Sequence, residues 1–361
     1  MPDCIIVGGG AIGLLTARQL YLQGVDVLLL EKGPLGGESS WAGGGIISPL
    51  YPWRYDDAVN RLAERSKQIY PQLSKELLED TGVDCELLNS GLFTVVDNAA
   101  EALEWAHRWS VNASYIDELS AIRAIEKTAG PAVDKGIWMP EIMQIRNPQF
   151  VKALKAYFKG HSIPYQEHVE VEDFIIKDNK VVGVNTKEGR HLADKVVIAS
   201  GAWSAQFDVT RSSVKVLPVK GQMIMYKGEP GLVERIVLSE GHYIIPRKDG
   251  RILAGSTLEK IGFDKNISDE AHDELHRCAV ELVPLLDSLP VERQWAGLRP
   301  GTEKGIPYIC AHDDIEGLYI HAGHFRNGIV LGAASAELMR DVIMGRDPWC
   351  DQEPYTMQAP H

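Results

Sequence analysis

The apolar run Cys4-Ile5-Ile6-Val7 leads straight into Gly8-Gly9-Gly10-Ala11-Ile12-Gly13, a G-x-G-x-x-G spacing that admits few folds. The run reads as a strand and residues 14–22 as a helix, so the glycines occupy a strand-to-helix turn. Gly8 permits the sharp exit from the strand, Gly10 lets backbone approach a pyrophosphate, and Gly13 lets the helix pack close to the sheet. The N-terminal N–H groups of that helix and its partial positive charge would face phosphates. Residues 25–30 read as the second strand, ending in Glu31, 18 residues after Gly13, where a carboxylate can hold a ribose diol. The unit predicts a dinucleotide site in an α/β, Rossmann-type domain. It does not separate FAD from NAD, since both carry an adenosine diphosphate half.

Composition narrows the partners. The formal net charge is −13, from 37 basic and 50 acidic residues, which supplies no basic footprint for nucleic acid or an anionic membrane. Any substrate anion must therefore be caught by a local cation. The five cysteines stand far apart without a C-x-x-C pair, so neither a metal site nor a disulfide framework is expected. No run approaches the roughly 20 apolar residues of a membrane span. No basic n-region or cleavage site precedes the first strand, so a cytoplasmic chain is expected.

The stretch 33–45 is dense in glycine and serine and follows directly on the strand that ends at the nucleotide. It reads as a loop lying against a flat ligand, with the Ser39 and Ser40 hydroxyls and the bare backbone of Gly44 and Gly45 available. Residues 58–81 carry apolar side chains at helical period and read as a packing helix. Residues 195–200 form a strongly apolar strand entering Gly201-Ala202-Trp203, and this strand belongs with the N-terminal sheet. Short strands at 214–226, 235–238, 243–247 and 251–255 predict a second, antiparallel sheet, followed by a helix over 270–286. A strand at 317–322 enters Gly323-His324-Phe325-Arg326-Asn327-Gly328, and a helix over 329–344 closes the chain.

These segments, in this order, resemble the FAD-dependent amine oxidases of the D-amino acid oxidase superfamily, and within it the glycine oxidases most closely. The residues that carry the resemblance are the first turn with Glu31, Ser39-Ser40, Gly44-Gly45-Ile46, Ala199-Ser200-Gly201, Val219-Lys220-Gly221-Gln222, the 243–247 strand, Trp295-Ala296-Gly297-Leu298-Arg299-Pro300, and Ala322 to Gly328. The resemblance implies extended FAD, with adenosine at the N-terminal unit and the flavin beside the C-terminal turn. Besides the first turn it places Glu31, Lys32, Ser39, Ser40, Gly44, Gly45, Ile46, Val169, Ser200, Gly201 and Trp203 along the cofactor. His324, Phe325, Arg326, Asn327, Gly328 and Ile329 complete that set at the flavin end. A glutathione-reductase-like FAD-binding domain from 1–85, 144–215 and 297–361 is expected, with an α+β substrate domain from 86–143 and 216–296 on the antiparallel sheet.

By the same resemblance Tyr243 and Arg299 hold a substrate carboxylate, and Arg326 assists beside the flavin. Guanidinium is the side chain whose planar fork grips a carboxylate through two charge-assisted hydrogen bonds. The plainer alternative for Arg299 is a pair with Glu303. His242 and His324 titrate in the right range for acid–base work. A deprotonated amine, however, can pass a hydride to flavin N5 without a protein base at the carbon. Related sarcosine oxidases attach flavin through a cysteine in the segment occupied here by 297–301, where this chain has none, so non-covalent FAD is expected. The implied reaction oxidises glycine, sarcosine or a small D-amino acid with molecular oxygen, giving imino acid and then oxo acid, ammonia and hydrogen peroxide, in a homo-oligomer. The alternatives are a D-amino acid dehydrogenase feeding a quinone or other carrier, and a non-catalytic nucleotide-binding protein.

Overall fold

Cys4–Val7 is buried along its whole length because it lies in the middle of a sheet covered on both sides, which a strand apolar at every position requires. The computed structural model describes all residues from Met1 to His361. The sheet has six strands in the spatial order Tyr308–Ala311, Leu318–Ala322, Lys195–Ile198, Cys4–Val7, Val27–Glu31 and Tyr165–Glu167. All pairs are parallel except the one at the Tyr308–Ala311 edge. Helices Ala11–Tyr21, Asp57–Thr81, Asn147–Gly160 and Gly328–Met344 cover one face, packing around Ile6, Leu29 and Val197. On the other face Ile5, Val7 and Ile198 pack with Val181 and Val184 of a three-stranded sheet.

The first turn is as tight as its spacing predicts. Gly8 has φ +112°, and a Cβ there would lie 2.5 Å from the Ala199 carbonyl oxygen. A Cβ on Gly13 would lie 2.0 Å from the Gly8 carbonyl oxygen, so the helix sits directly on the turn.

The second sheet has eight strands, in the order Val291–Gly301, Leu217–Lys227, Arg251–Gly255, His242–Pro246, Ile236–Ser239, Leu92–Val95, Gly136–Met139 and Ser114–Ile116. It is antiparallel throughout except where Ile236–Ser239 runs parallel to Leu92–Val95. One face packs against helix Asp269–Leu282 through Ile224, Ile244 and Leu275, and the other carries Met223, Tyr243 and Ile245. This is the α/β architecture expected, a parallel Rossmann-type sheet joined to an α+β part built on an antiparallel sheet.

Several elements depart from the sequence reading. Val291–Gly301 is a strand of eleven residues paired with Leu217–Lys227 as far as Gly301, although Gly297, Pro300 and Gly301 disfavour strand. It is tolerated because it is an edge strand, where a proline costs no ladder bond. The expected division at 296 falls inside this strand. The helix expected over 270–286 ends at Leu282, because Pro284 drives Val283 into extended backbone at φ −140°, ψ +87°. The stretch 33–45 includes one helical turn, Ser39–Ala42.

Candidate functional site

The parallel strands Cys4–Val7, Val27–Glu31, Lys195–Ile198 and Leu318–Ala322 all end at one edge of their sheet, and the residues that follow them line a single cavity. Open α/β sheets place ligands at this edge. Gly8, Gly10, Ala11, Ile12, Glu31, Lys32, Val169, Ser200, Gly201 and Trp203 form the wall nearest the first turn. Ser39, Ser40, Gly44, Gly45 and Ile46 continue it, and His324 to Ile329 face them together with Tyr243, Arg299 and Arg326. Gly13 alone among the expected residues is not on the wall. Its α-carbon is spent on the contact with Gly8.

The two ends of the cavity are joined by the 39–46 loop. Ser40 Oγ accepts a hydrogen bond from the Ala11 N–H at 2.8 Å, at the start of the first helix. A Cβ on Gly44 would meet the Tyr243 ring at 3.2 Å. Three side chains from elsewhere tack the loop down. Asn147 Nδ2 donates to the Ser40 carbonyl at 2.8 Å, Trp295 Nε1 donates to the Ala42 carbonyl at 2.9 Å, and Arg247 Nη2 donates to the Gly44 carbonyl at 2.7 Å. Arg247 is buried and also donates to Gln144 Oε1 at 2.6 Å; burial lowers its pKa to about 10.

At the nucleotide end Glu31 accepts from the Gly9 N–H at 2.6 Å and the Gly33 N–H at 2.7 Å, which fixes its carboxylate on the wall. Lys32 lies with Nζ 3.5 Å from the centre of the Trp203 ring, and burial lowers its pKa. Neither the first helix nor Gly328–Met344 has its N-cap side chain bonded to its own first turn, although the Ala11 N–H of the first helix is taken by Ser40 Oγ. A Cβ on Gly201 would touch nothing within 4 Å, and one on Gly328 nothing nearer than 3.9 Å. Asn327 Nδ2, at the start of the closing helix, has no hydrogen-bond partner. Bare backbone, two helix starts and an unpartnered donor fit a long ligand carrying phosphates and a flat polar ring system.

The other end carries two guanidiniums, Arg299 and Arg326. Arg299 Nη1 donates to the Lys220 and Thr257 carbonyls at 3.2 and 3.1 Å, and Nη2 donates to Ser256 Oγ at 2.8 Å. Its partners are all uncharged, and it forms no pair with Glu303. Burial accordingly lowers its pKa, with Tyr243 opposing and Arg326 adding to the shift. The guanidinium lies flat on Gly221, where a Cβ would fall 2.1 Å from its nitrogens. The Tyr243 hydroxyl lies 3.8 Å from Met223 Sδ and beside the Arg299 guanidinium. Arg326 makes no ion pair, and its guanidinium carbon lies 5.5 Å from the centre of the Phe325 ring.

His324 is buried, with Nε2 3.1 Å from Ser335 Oγ, and burial lowers its pKa to about 3. His321 lies 5.1 Å away between ring centres, with Nδ1 2.8 Å from Thr16 Oγ1, and burial holds its pKa well below 6.5. Both rings are neutral near neutral pH, so neither is poised to shuttle a proton there. His242 lies off the cavity, 3.4 Å from Glu274. His321, Asn147, Gly221 and Ser256 line the cavity without having been singled out as site residues. His321 was readable in principle, since it immediately precedes the Ala322 turn; Ser256 belongs to no motif.

The FAD dependent oxidoreductase (DAO) family pattern matches residues 3–342. The chain is 43% identical to a glycine oxidase of Pseudomonas aeruginosa over 354 residues, covering 97% of each chain. It is 44% identical to a glycine oxidase of Pseudomonas putida over 360 residues, covering 98% of each. Among solved structures, glycine oxidase from Geobacillus kaustophilus superposes with a TM-score of 0.93 at 29% identity, over 99% of this chain and 98% of that one.

The buried imidazoles set an acid limit. The unfolded chain binds protons on them near pH 6.5, whereas folded His324 does so only near pH 3, so the unfolded state holds more protons between those values. Stability is full above about 6.5 and falls as pH drops toward 3, by up to about 1.4 kcal/mol per pH unit for each imidazole. His324→Gln is expected to flatten this dependence in urea midpoints measured from pH 7 to pH 4. An unchanged slope would mean that His324 is charged in the folded protein.

Proposed function

The chain belongs to the FAD-dependent oxidoreductase family, and on that footing we propose that it oxidises glycine, sarcosine or another small amino acid. FAD is its cofactor, and amine oxidation is its chemistry. The product is the imino acid, which water converts to the oxo acid and ammonia, while oxygen takes up the two electrons as hydrogen peroxide. When bound, the flavin supplies the two-electron chemistry, as acceptor of a hydride from the substrate Cα–H and donor to oxygen. The protein's own residues bind and orient.

One observation carries this reading. Arg299 is a guanidinium in a largely buried setting with no carboxylate partner, facing a cavity it shares with Tyr243. An incoming carboxylate supplies the missing charge, and the Tyr243 hydroxyl can donate a further bond to it. So anchored, the substrate has its Cα held in place, and orientation of this kind accounts for much of the acceleration an enzyme gains without a catalytic side chain. Arg326, also without a counter-ion, adds positive potential to the same cavity. A homo-oligomeric assembly, which rests on resemblance, and a cytoplasmic setting belong to the same proposal. No helix of the chain is long and apolar enough to cross a membrane.

The test is anaerobic mixing of the yellow protein with glycine, sarcosine, D-alanine, D-proline and larger D-amino acids. Bleaching by the small members, with stoichiometric peroxide on readmission of air, is expected. Bleaching without peroxide would point to a dehydrogenase using another acceptor. The flavin is held without a covalent bond, since the 297–301 segment has no cysteine, and acid precipitation is expected to leave the colour in the supernatant.

Arg299→Ala is expected to lower kcat/KM by two to three orders of magnitude with flavin retained, since leaving a buried charge unpaired costs about 3 to 5 kcal/mol. Arg299→Lys recovers part of the loss, because an ammonium keeps the charge without the fork. Near-normal efficiency in Arg299→Ala, measured by peroxide release, would remove Arg299 from the substrate site.

A further inference from the structure

Ser256 stands at the cavity wall immediately after strand Arg251–Gly255 and is buried, 6% exposed. Its Oγ accepts a hydrogen bond from Arg299 Nη2 at 2.8 Å. A hydroxyl carries one proton to donate as well as two lone pairs. No carbonyl, carboxylate or other side chain of this chain takes that proton, although the neighbouring Thr257 hydroxyl donates its own to Glu259 at 2.5 Å. A buried donor left unspent costs free energy, so a partner from outside the chain is called for.

The position of that proton is constrained. Arg299 is pinned on three sides, by the Lys220 and Thr257 carbonyls and by Gly221 beneath its plane. The guanidinium therefore cannot swing away to leave Ser256 to a different ligand. Of the five N–H groups of Arg299, three are spent on Lys220, Thr257 and Ser256, so an incoming carboxylate meets Nε–H and the second N–H of Nη2, the nitrogen that Ser256 Oγ already touches.

We propose that Ser256 is a second anchor for the substrate carboxylate. Its oxygen accepts from Arg299 while its proton is donated to a carboxylate oxygen that also accepts from the guanidinium. The carboxylate is then held by Arg299, Ser256 and Tyr243 together, and a substrate whose acid group is esterified or amidated loses the charge that this arrangement is shaped to take. The assignment rests on the reading of Arg299 as the carboxylate site.

The experiment titrates the FAD-loaded protein with sodium acetate, a carboxylate without an amine, following the flavin absorption band, and measures KM and kcat for glycine separately. Hydrogen bonds to charged groups are strong enough that Ser256→Ala should weaken acetate binding and raise KM by roughly tenfold or more. Flavin content and thermal midpoint stay unchanged, and kcat moves by less than about threefold if the lost bond is made equally in ground and transition states. Ser256→Thr, which keeps the hydroxyl, should restore most of the affinity. Acetate binding at the wild-type level in Ser256→Ala overturns the proposal. So does a parallel fall in kcat, flavin content and stability that Ser256→Thr does not rescue, since the hydroxyl would then serve only to hold the strand end. Arg299→Ala measured alongside separates the two readings. If it binds acetate as the wild type does, the Arg299 assignment itself falls; if it loses acetate while Ser256→Ala keeps it, only the Ser256 assignment falls.

Discussion

The parallel pairing of Cys4–Val7 with Lys195–Ile198 on one side and Val27–Glu31 on the other is the interaction on which the rest depends. Each strand delivers its following turn to the same edge, so one register fixes the positions of residues 8–13, 32 and 199–203 together. A one-residue slip would exchange Ile5 and Ile6 between two different cores, each of which buries its partner completely. The register is thereby set by packing on both faces, and the cavity inherits its precision from it.

The cavity joins two electrostatic regimes. At the end nearest the first turn the acidic Glu31, Glu38 and Glu170 surround Lys32. At the other end Arg299 and Arg326 have no acidic partner at all. In a chain of net charge −13 this local excess of positive charge is the more telling. Carbonyl oxygens of Lys220 and Thr257 solvate Arg299 without neutralising it, which keeps the site competent for an anion while making the ligand-free state tolerable.

Much of this was legible in sequence, for physical reasons. The first turn could be read because backbone geometry leaves glycine little competition at Gly8 and Gly13, and Lys195–Ile198 because a strand covered on both faces must be apolar throughout. Arg299 and Tyr243 were reached through resemblance, since nothing in local spacing distinguishes them from surface residues. Val291–Gly301 escaped because its strand state is imposed by its neighbour Leu217–Lys227 against its own propensity. Arg247 and Ser256 escaped for a related reason: their roles come from partners more than 40 residues away, which no window of sequence contains.

Cys4–Val7 lies between strands that come about 20 and 190 residues later in the chain, and Lys195–Ile198 lies against Leu318–Ala322. During synthesis the first strand therefore leaves the ribosome long before most of its sheet exists. Its apolar faces remain without their final cover until Gly328–Met344 has been made, because that helix packs on Ala11–Tyr21 and closes the same core. Sheets of such non-local pairing are slow to form and exposed to aggregation while they wait. Cofactor capture thus waits on distant sequence: the wall formed by residues 324–329 is translated about 290 residues after Glu31, and the cavity is incomplete until it is made.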